Sequence, residues 1–216
     1  VRSPATVTSY SKAVKSLMAY MRGRNLSFAT APRSLLVDYF VDSRKRGLAA
    51  RTVKMYYFGI ERFMRWLRDQ GTNLPEFIKP EMPRLGKSLV KSIDDKVLDR
   101  YIEEAKKSAD PTKTILILLP YTGLRLNEAC SLPRSSLRKS DTGKLGAYLQ
   151  IIGKGGKERV VPLCKEAKDA LRSYLIMYPS KNSWMFPSLQ KPSAPITHGT
   201  IQRHVKDIGN KIGVSW

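Results

Sequence analysis

A chain of 216 residues with 39 lysines and arginines against 18 aspartates and glutamates carries a net charge of +21, the electrostatic footprint of a polyanion binder. Hydrophobic residues make up 42% of the chain, enough for packed cores, which excludes a disordered basic arm. No apolar run approaches the roughly 20 residues that span a bilayer and the start lacks a signal-peptide core, so the expectation is a cytoplasmic, nucleoid-associated protein with no membrane contact.

The surplus charge is not a tail. Residues 1–86 hold about +10 and residues 87–216 about +11, counted along the chain, so both halves are expected to touch the ligand. Charge alone suits a ribosomal-type or merely soluble basic protein equally well, and motifs must decide. Cys130 and Cys164 have no Cys or His nearby at metal-ligand spacing. No metal is expected, and both are read as reduced, structural thiols.

From Ser3 to about Arg22, Val7, Tyr10, Val14, Leu17, Met18 and Met21 recur at three and four residues and predict an amphipathic helix, with Ser3 or Thr6 as its cap. A second helix is predicted over Pro32–Arg46, with Leu35, Leu36, Tyr39 and Phe40 inward and Gly47 as its stop. A third runs from about Ala49 to Gln70 and ends at Gly71. At 100° per residue, its Val53, Tyr57, Ile60, Met64 and Leu67 share one arc. Arg51, Lys54, Arg62 and Arg65 gather on another, interrupted mainly by Phe58. A basic arc with few carboxylates can meet phosphates, although exposed helix faces are commonly just solvated.

Residues 73–90 contain Pro75, Pro80, Pro83 and Gly86 and lack helical periodicity, which predicts a linker between a helical domain at 1–72 and a second domain at 91–216. Its Lys79, Arg84 and Lys87 are basic, as suits a flexible connection between two lobes that clamp a duplex. A plain surface loop has the same composition.

The second domain opens with a helix over Ser92–Ser108, where Ser92 and Asp95 resemble a capping arrangement and Val97, Leu98, Tyr101 and Ile102 form the buried stripe. Asp110-Pro111 starts another helix that runs into the apolar Ile115–Leu119 and stops at Tyr121-Thr122-Gly123. A helical segment is expected over Arg125–Leu132, short strands over Tyr148–Ile152 and Arg159–Leu163, and helices over Lys165–Tyr178 and Thr197–Ile212. The fold class is therefore mainly α with a small β-hairpin or sheet, α+β. No internal repeat stands out.

Two motifs carry chemistry. In Thr122-Gly123-Leu124-Arg125-Leu126-Asn127-Glu128 a glycine break sets Arg125 at the start of a helix, and Glu128, three residues on, shares its face and can orient the guanidinium while the fork addresses a phosphate. A purely structural Arg–Glu pair fits the same spacing. The second is the strand-turn-strand from Ile151 to Leu163, whose Gly153, Gly155 and Gly156 permit unusual backbone angles and whose turn projects Lys154 and Lys157. A lysine beside a scissile phosphodiester can act as general acid, giving its proton to the departing sugar oxygen. A solvated turn has the same composition.

In this order and about thirty residues apart, the two motifs resemble the tyrosine recombinase family, the phage integrases and Xer-like enzymes. The likeness covers most of the chain. It implies a helical, SAM-like core-binding domain that grips DNA, a proline-containing linker and the first part of a catalytic domain. It further implies Arg125 as the first arginine of the active site, Lys154 as the catalytic lysine with Lys157 the second choice, and Glu128 supporting Arg125. Arg51, Lys54, Arg62, Arg65, Lys79, Arg84, Lys87, Arg159 and Arg203 are the expected DNA contacts. The family's chemistry is tyrosine attack on a phosphodiester, giving a 3′-phosphotyrosine and a free 5′-hydroxyl; no metal or nucleotide cofactor is implied.

The resemblance breaks near the end. A His-x-x-Arg box, a later His or Trp and the nucleophilic tyrosine are expected beyond the segment resembling Thr197–Val214. Neither His198 nor His204 is followed by arginine three residues on, so both are read as surface or DNA-facing groups. Tyr148, Tyr174 and Tyr178 have core-like spacing. No nucleophile is assigned, and the expectation is a chain that binds double-stranded DNA without cleaving it alone. A full-length version is expected to form a tetramer on paired sites, and this chain a monomer in free solution. A non-catalytic DNA-binding regulator or competitor at recombination sites is the alternative. An RNA-binding protein is a weaker third, since no aromatic platform or double-stranded-RNA signature is present.

Overall fold

The computed structural model describes residues 4–86, 93–138, 148–153 and 156–214. Ser3, Lys87, Ser92, Lys154 and Gly155 lie outside them. Two compact units divide the chain, Val1–Val90 and Lys91–Trp216.

In the first unit, α1 (Pro4–Arg22), α2 (Leu35–Lys45) and α3 (Ala50–Asp69) enclose one core. The buried row of α1 is Ala13, Leu17 and Met21, four residues apart and so stacked on one face. Val7 and Met18 were expected in that row but are 54% and 43% exposed, because the face that meets α3 is centred elsewhere. Gly59 explains how close the two helices come. A Cβ there would lie 3.2 Å from Tyr10 Cα and from Ala13 Cβ, so only a residue without one lets the backbones approach this far. Thr6 sits within the first turn of α1.

α2 starts at Leu35 rather than Pro32, since residues 32–34 form a turn. Leu35, Leu36, Tyr39 and Phe40 are all buried, and Tyr39 donates its hydroxyl to Ser16 Oγ at 2.9 Å, which satisfies the one polar atom that burial would strand. On α3, Val53, Ile60 and Met64 are buried while Tyr57 and Leu67 are half-buried. Residues 72–86 have no regular secondary structure, yet Phe77 and Pro80 are buried, Leu74 and Met82 pack on the helical core, and Ile78 N–H donates to Arg33 O at 2.8 Å.

The second unit runs α4 (Asp95–Lys106), α5 (Thr112–Thr122), α6 (Leu126–Cys130), β1 (Leu137–Arg138), β2 (Tyr148–Ile152), β3 (Glu158–Pro162), α7 (Lys165–Met177) and α8 (His198–Lys211). The cap of α4 is Asp94, whose carboxylate accepts from Lys96 N–H at 2.8 Å; Ser92, expected to take part in the capping, is outside the described residues. In α5, Ile115 to Leu118 are buried, and Thr114 is held by Asp110, which accepts its hydroxyl at 2.6 Å. The strands form an antiparallel sheet ordered β1-β2-β3, with Ile152 opposite Glu158 and Tyr148 opposite Pro162. Alternation turns Leu149, Ile151 and Val161 inward onto Leu116, Leu132, Leu171, Met185, Phe186 and Ile201.

Three further expectations need correction. Tyr174 is buried and Tyr148 half-buried, but Tyr178 is 47% exposed; it follows the last residue of α7, and its ring lies 5.2 Å from that of Tyr174. Cys130 is buried, whereas Cys164 is exposed just before the start of α7. The segment expected as a helix over Arg125–Leu132 is one short turn of helix, because Ser131 already leaves the helical path and Pro133 follows.

Candidate functional site

α5 ends at Gly123, whose φ of +60° is a left-handed angle that a side chain would strain. The reversal lets Leu124 plug into the core at 5% exposure and leaves Arg125 in extended conformation as the residue before α6. Its side chain is 74% exposed. A buried residue beside an exposed arginine is the local device that presents the guanidinium.

Glu128 holds it there. Oε2 accepts from the Arg125 backbone N–H at 2.9 Å and Oε1 accepts from Arg125 Nη1 at 3.0 Å. The same carboxylate takes a second arginine: Arg159 Nη1 donates to Oε1 at 3.1 Å and Nη2 to Oε2 at 2.6 Å. Four donors therefore occupy a carboxylate that is 12% exposed, filling its lone-pair positions. The Arg159 guanidinium, and then Arg125, hold the Glu128 carboxyl at about 2, well below the ordinary carboxylate range and against the desolvation that would raise it. One carboxylate against two guanidinium groups leaves a local surplus of positive charge, carried by the exposed fork of Arg125.

The end of β2 leads to Gly153 beside this pair. Gly153 N–H donates to Lys157 O at 2.7 Å, and Gly156 N–H to Gly153 O at 3.2 Å with Gly156 at φ +75°. A Cβ on Gly153 would come within 3.5 Å of Arg159 Nη1 and 3.7 Å of Glu128 Oε1, so the hairpin base rests on the Glu128–Arg159 pair. Lys157 is exposed on the turn. Lys154 lies outside the described residues.

Arg159, expected among the DNA contacts, has a side chain that is 34% exposed and bound to Glu128. The missed signal is strand alternation, which puts Arg159 on the face of buried Val161. Another missed feature is on the opposite face of the sheet: Arg138 donates twice to Gln150 Oε1, at 2.9 and 2.7 Å, and Gln150 Nε2 donates to Glu158 at 3.0 Å. That ladder borders a cavity of about 560 Å³ shared with Asn127, Ser131 and Trp184.

In the first unit, Arg51, Arg62 and Arg65 are exposed and Lys54 half-buried, on the side of α3 away from Val53, Ile60 and Met64. Arg62 and Arg65 edge a groove of about 840 Å³ that also exposes Val7, Met18 and Trp66. Arg51 and Lys54 flank Tyr10 and Phe58. Lys79 and Arg84 are exposed in the segment after α3, and Arg203 is exposed on α8. Lys87 lies outside the described residues. Among the described residues no cluster of His, Cys, Asp and Glu could hold a metal, and no helix is long and apolar enough to cross a membrane.

Residues 91–215 match the phage integrase family and residues 1–71 match the phage integrase N-terminal SAM-like domain. Tyrosine recombinase XerD of Caulobacter vibrioides is 29% identical over 196 residues, covering 85% of this chain and 62% of the relative. XerD of Rhizobium meliloti is 28% identical over 224 residues, covering 97% and 70%. The chain thus spans about two thirds of the length of these relatives. Among solved structures, the XerH site-specific recombinase bound to difH substrate shares the fold with a TM-score of 0.73 at 18% identity, over 97% of this chain and 64% of that one. A lambda integrase tetramer bound to a Holliday junction has a TM-score of 0.71 at 15% identity, over 100% and 62%.

Proposed function

Since the chain belongs to the phage integrase family, we propose that it is the DNA-gripping and partial catalytic portion of a site-specific tyrosine recombinase, a DNA strand transferase. The observation that carries this reading is the exposed Arg125 fork, fixed by Glu128 beside the base of a lysine-bearing hairpin. Arg125 neutralises charge on the scissile phosphate as it becomes pentavalent. A tyrosine oxygen bonds to phosphorus, the bond to the 5′-oxygen breaks, and Lys154 hands that oxygen a proton, with Lys157 the second choice. Energy stays in the 3′-phosphotyrosine, so the reverse attack by a 5′-hydroxyl rejoins a strand without a cofactor.

Double-stranded DNA is the partner, met by Arg51, Lys54, Arg62 and Arg65 on α3, by Lys79, Arg84 and Lys87 after it, and by Arg203. The relatives named for DNA complexes, one of them a tetramer on a Holliday junction, support a full-length enzyme that assembles on paired sites. The domains are a core-binding domain at 1–72, a linker at 73–90 and part of a catalytic domain at 91–216. These 216 residues by themselves are a monomer in solution that occupies DNA in the cytoplasm, at the nucleoid, without cutting it. Support for that inactivity comes from the histidines of α8, which lack an arginine three residues on.

The test is binding and cleavage on the same preparation. Fluorescence anisotropy should give salt-dependent binding to duplex DNA, weaker for RNA of matching sequence; equal affinity for both overturns the DNA assignment. A pool of nicked suicide duplexes should yield no covalent adduct with the 216 residues. An adduct overturns the proposed inactivity, and mapping its tyrosine identifies the nucleophile. The same assay on a longer reading frame containing these residues should yield the adduct; a non-catalytic regulator would not.

A further inference from the structure

One long-range contact among the described residues is not used by the recombinase chemistry above. Arg159 belongs to β3 and Glu128 to α6, yet their side chains meet through two hydrogen bonds in parallel, at 3.1 and 2.6 Å. Such a fork-to-fork pair fixes direction as well as distance, because both partners are planar and neither can swivel without losing a bond. Gly153, where the hairpin turn begins, stands 3.5 Å from the Arg159 end and 3.7 Å from the Glu128 end, measured from the Cβ it lacks. Glu128 also holds the backbone N–H and the guanidinium of Arg125. One carboxylate is therefore the joint between the residue that faces the phosphate and the strand that carries the lysine turn.

We propose that Arg159 is a positioning residue of the phosphate site: acting through the Glu128 carboxylate, it sets the orientation of Arg125 and holds Gly153, just after β2, against the same pair. The proposal rests on the reading of Arg125 as a phosphate contact. Arg159 itself touches no phosphate. Its charge is spent on Glu128, and the two rows of donors on the carboxylate leave Arg125 a single way to sit. Without Arg159, two acceptor positions of Glu128 open to other donors, and the Arg125 guanidinium is free to bridge the carboxylate with both prongs, turning away from the ligand. The low carboxyl of Glu128 agrees with a permanently ionised joint.

The test is a double-mutant cycle on DNA binding by the 216-residue chain, read by anisotropy on a short duplex of arbitrary sequence across a salt series. In the otherwise unaltered chain, Arg125→Ala should weaken binding about fivefold at low salt and reduce the slope of log affinity against log salt by about 0.9, as one phosphate is no longer neutralised. In an Arg159→Ala background the same substitution should cost less than about twofold, because Arg125 has already lost its aim. Glu128→Gln gives the sharper arm. It removes a negative charge, so charge counting demands tighter binding, whereas loss of the joint demands weaker binding and a loss of the Arg125 effect. Arg159→Lys restores the charge without the planar grip and should behave as Arg159→Ala does.

If Arg125→Ala costs the same in both backgrounds, or if lysine restores the Arg125 effect in full, the positioning role is overturned while the phosphate contact stands. If Arg125→Ala has no effect in the unaltered chain, the phosphate reading fails, and the positioning role with it. Circular dichroism and thermal unfolding accompany each variant. Should Arg159→Ala fail to fold, the cycles on Arg159→Lys and Glu128→Gln decide alone.

Discussion

Glu128 and Arg159 stand 31 residues apart in the chain and meet through two charge-assisted hydrogen bonds, one at 2.6 Å. The pair joins a one-turn helix to a β-strand. The helix is five residues long and too short to be stable by propensity, so contacts such as this must hold its start in place.

The first prediction concerns pH. The Glu128 carboxyl is depressed to about 2 from an ordinary 4.5, so folding favours its ionised form. A depressed carboxylate contributes stability that is fully present above about pH 4.5 and lost as pH falls through about 2. With Arg159 open to solvent on one side, the contribution should be about 1–2 kcal/mol. Urea unfolding of the unaltered chain and Glu128→Gln should differ by that amount at pH 7. The gap should shrink below pH 4.5, and a gap constant down to about pH 2 would contradict the assignment.

A second prediction tests the close approach of α1 and α3. At Gly59 an added Cβ meets Tyr10 Cα and Ala13 Cβ, both at 3.2 Å. Gly59→Ala sets a gain in helix propensity of about 1 kcal/mol against this overlap, and the two should nearly cancel. Gly59→Val adds branching where the backbone of α1 cannot retreat. It should cost about 2–3 kcal/mol in denaturant unfolding, and a stability within about 0.5 kcal/mol of the unaltered chain would show that the helices can part.

Glycines also mark the limit of what the sequence exposes. Gly47, Gly71 and Gly123 stop helices at positive φ where their place after an apolar row predicts it, and Gly123 led directly to Arg125 and Glu128. Local spacing captures such features because partners three or four residues apart share a helix face. Arg159 escaped because its partner comes from another element, and basic residues are read outward unless strand alternation is followed through from Val161. Val7 and Met18 escaped for a related reason. Periodicity finds an apolar face, but the neighbour that covers it, here α3 approaching at Gly59, decides which rows of that face are buried. The two-residue β1 is too short to leave any pattern, and its pairing with β2 depends on residues distant in the chain.

The third prediction separates the cations of α3. Arg51 and Lys54 lie by Tyr10 and Phe58, while Arg62 and Arg65 edge the groove with Trp66. The ion pair of Arg65 with Glu61 is 3.9 Å long and exposed, worth too little to withdraw Arg65 from a phosphate. If the whole arc meets DNA, alanine at either pair should lower the salt slope of duplex binding by about 1.8, roughly 0.9 for each phosphate left without its cation. A slope unaltered by the Arg62 and Arg65 substitutions would confine the DNA contact to the other end of the helix.

The fourth prediction addresses the lysine. In a recombinase that combines these residues with an attacking tyrosine, Lys154→Ala should slow cleavage by about 10² to 10⁴, the usual worth of a general acid. A 5′-bridging phosphorothiolate leaves as a thiolate and needs no proton, so it should recover most of the lost rate in this variant while leaving an Arg125→Ala variant slow, since charge on the phosphate still goes unbalanced. Rescue of Lys157→Ala alone would assign the proton to the second lysine of the turn. Rescue of neither would separate the hairpin from leaving-group chemistry and leave both lysines to groove contacts.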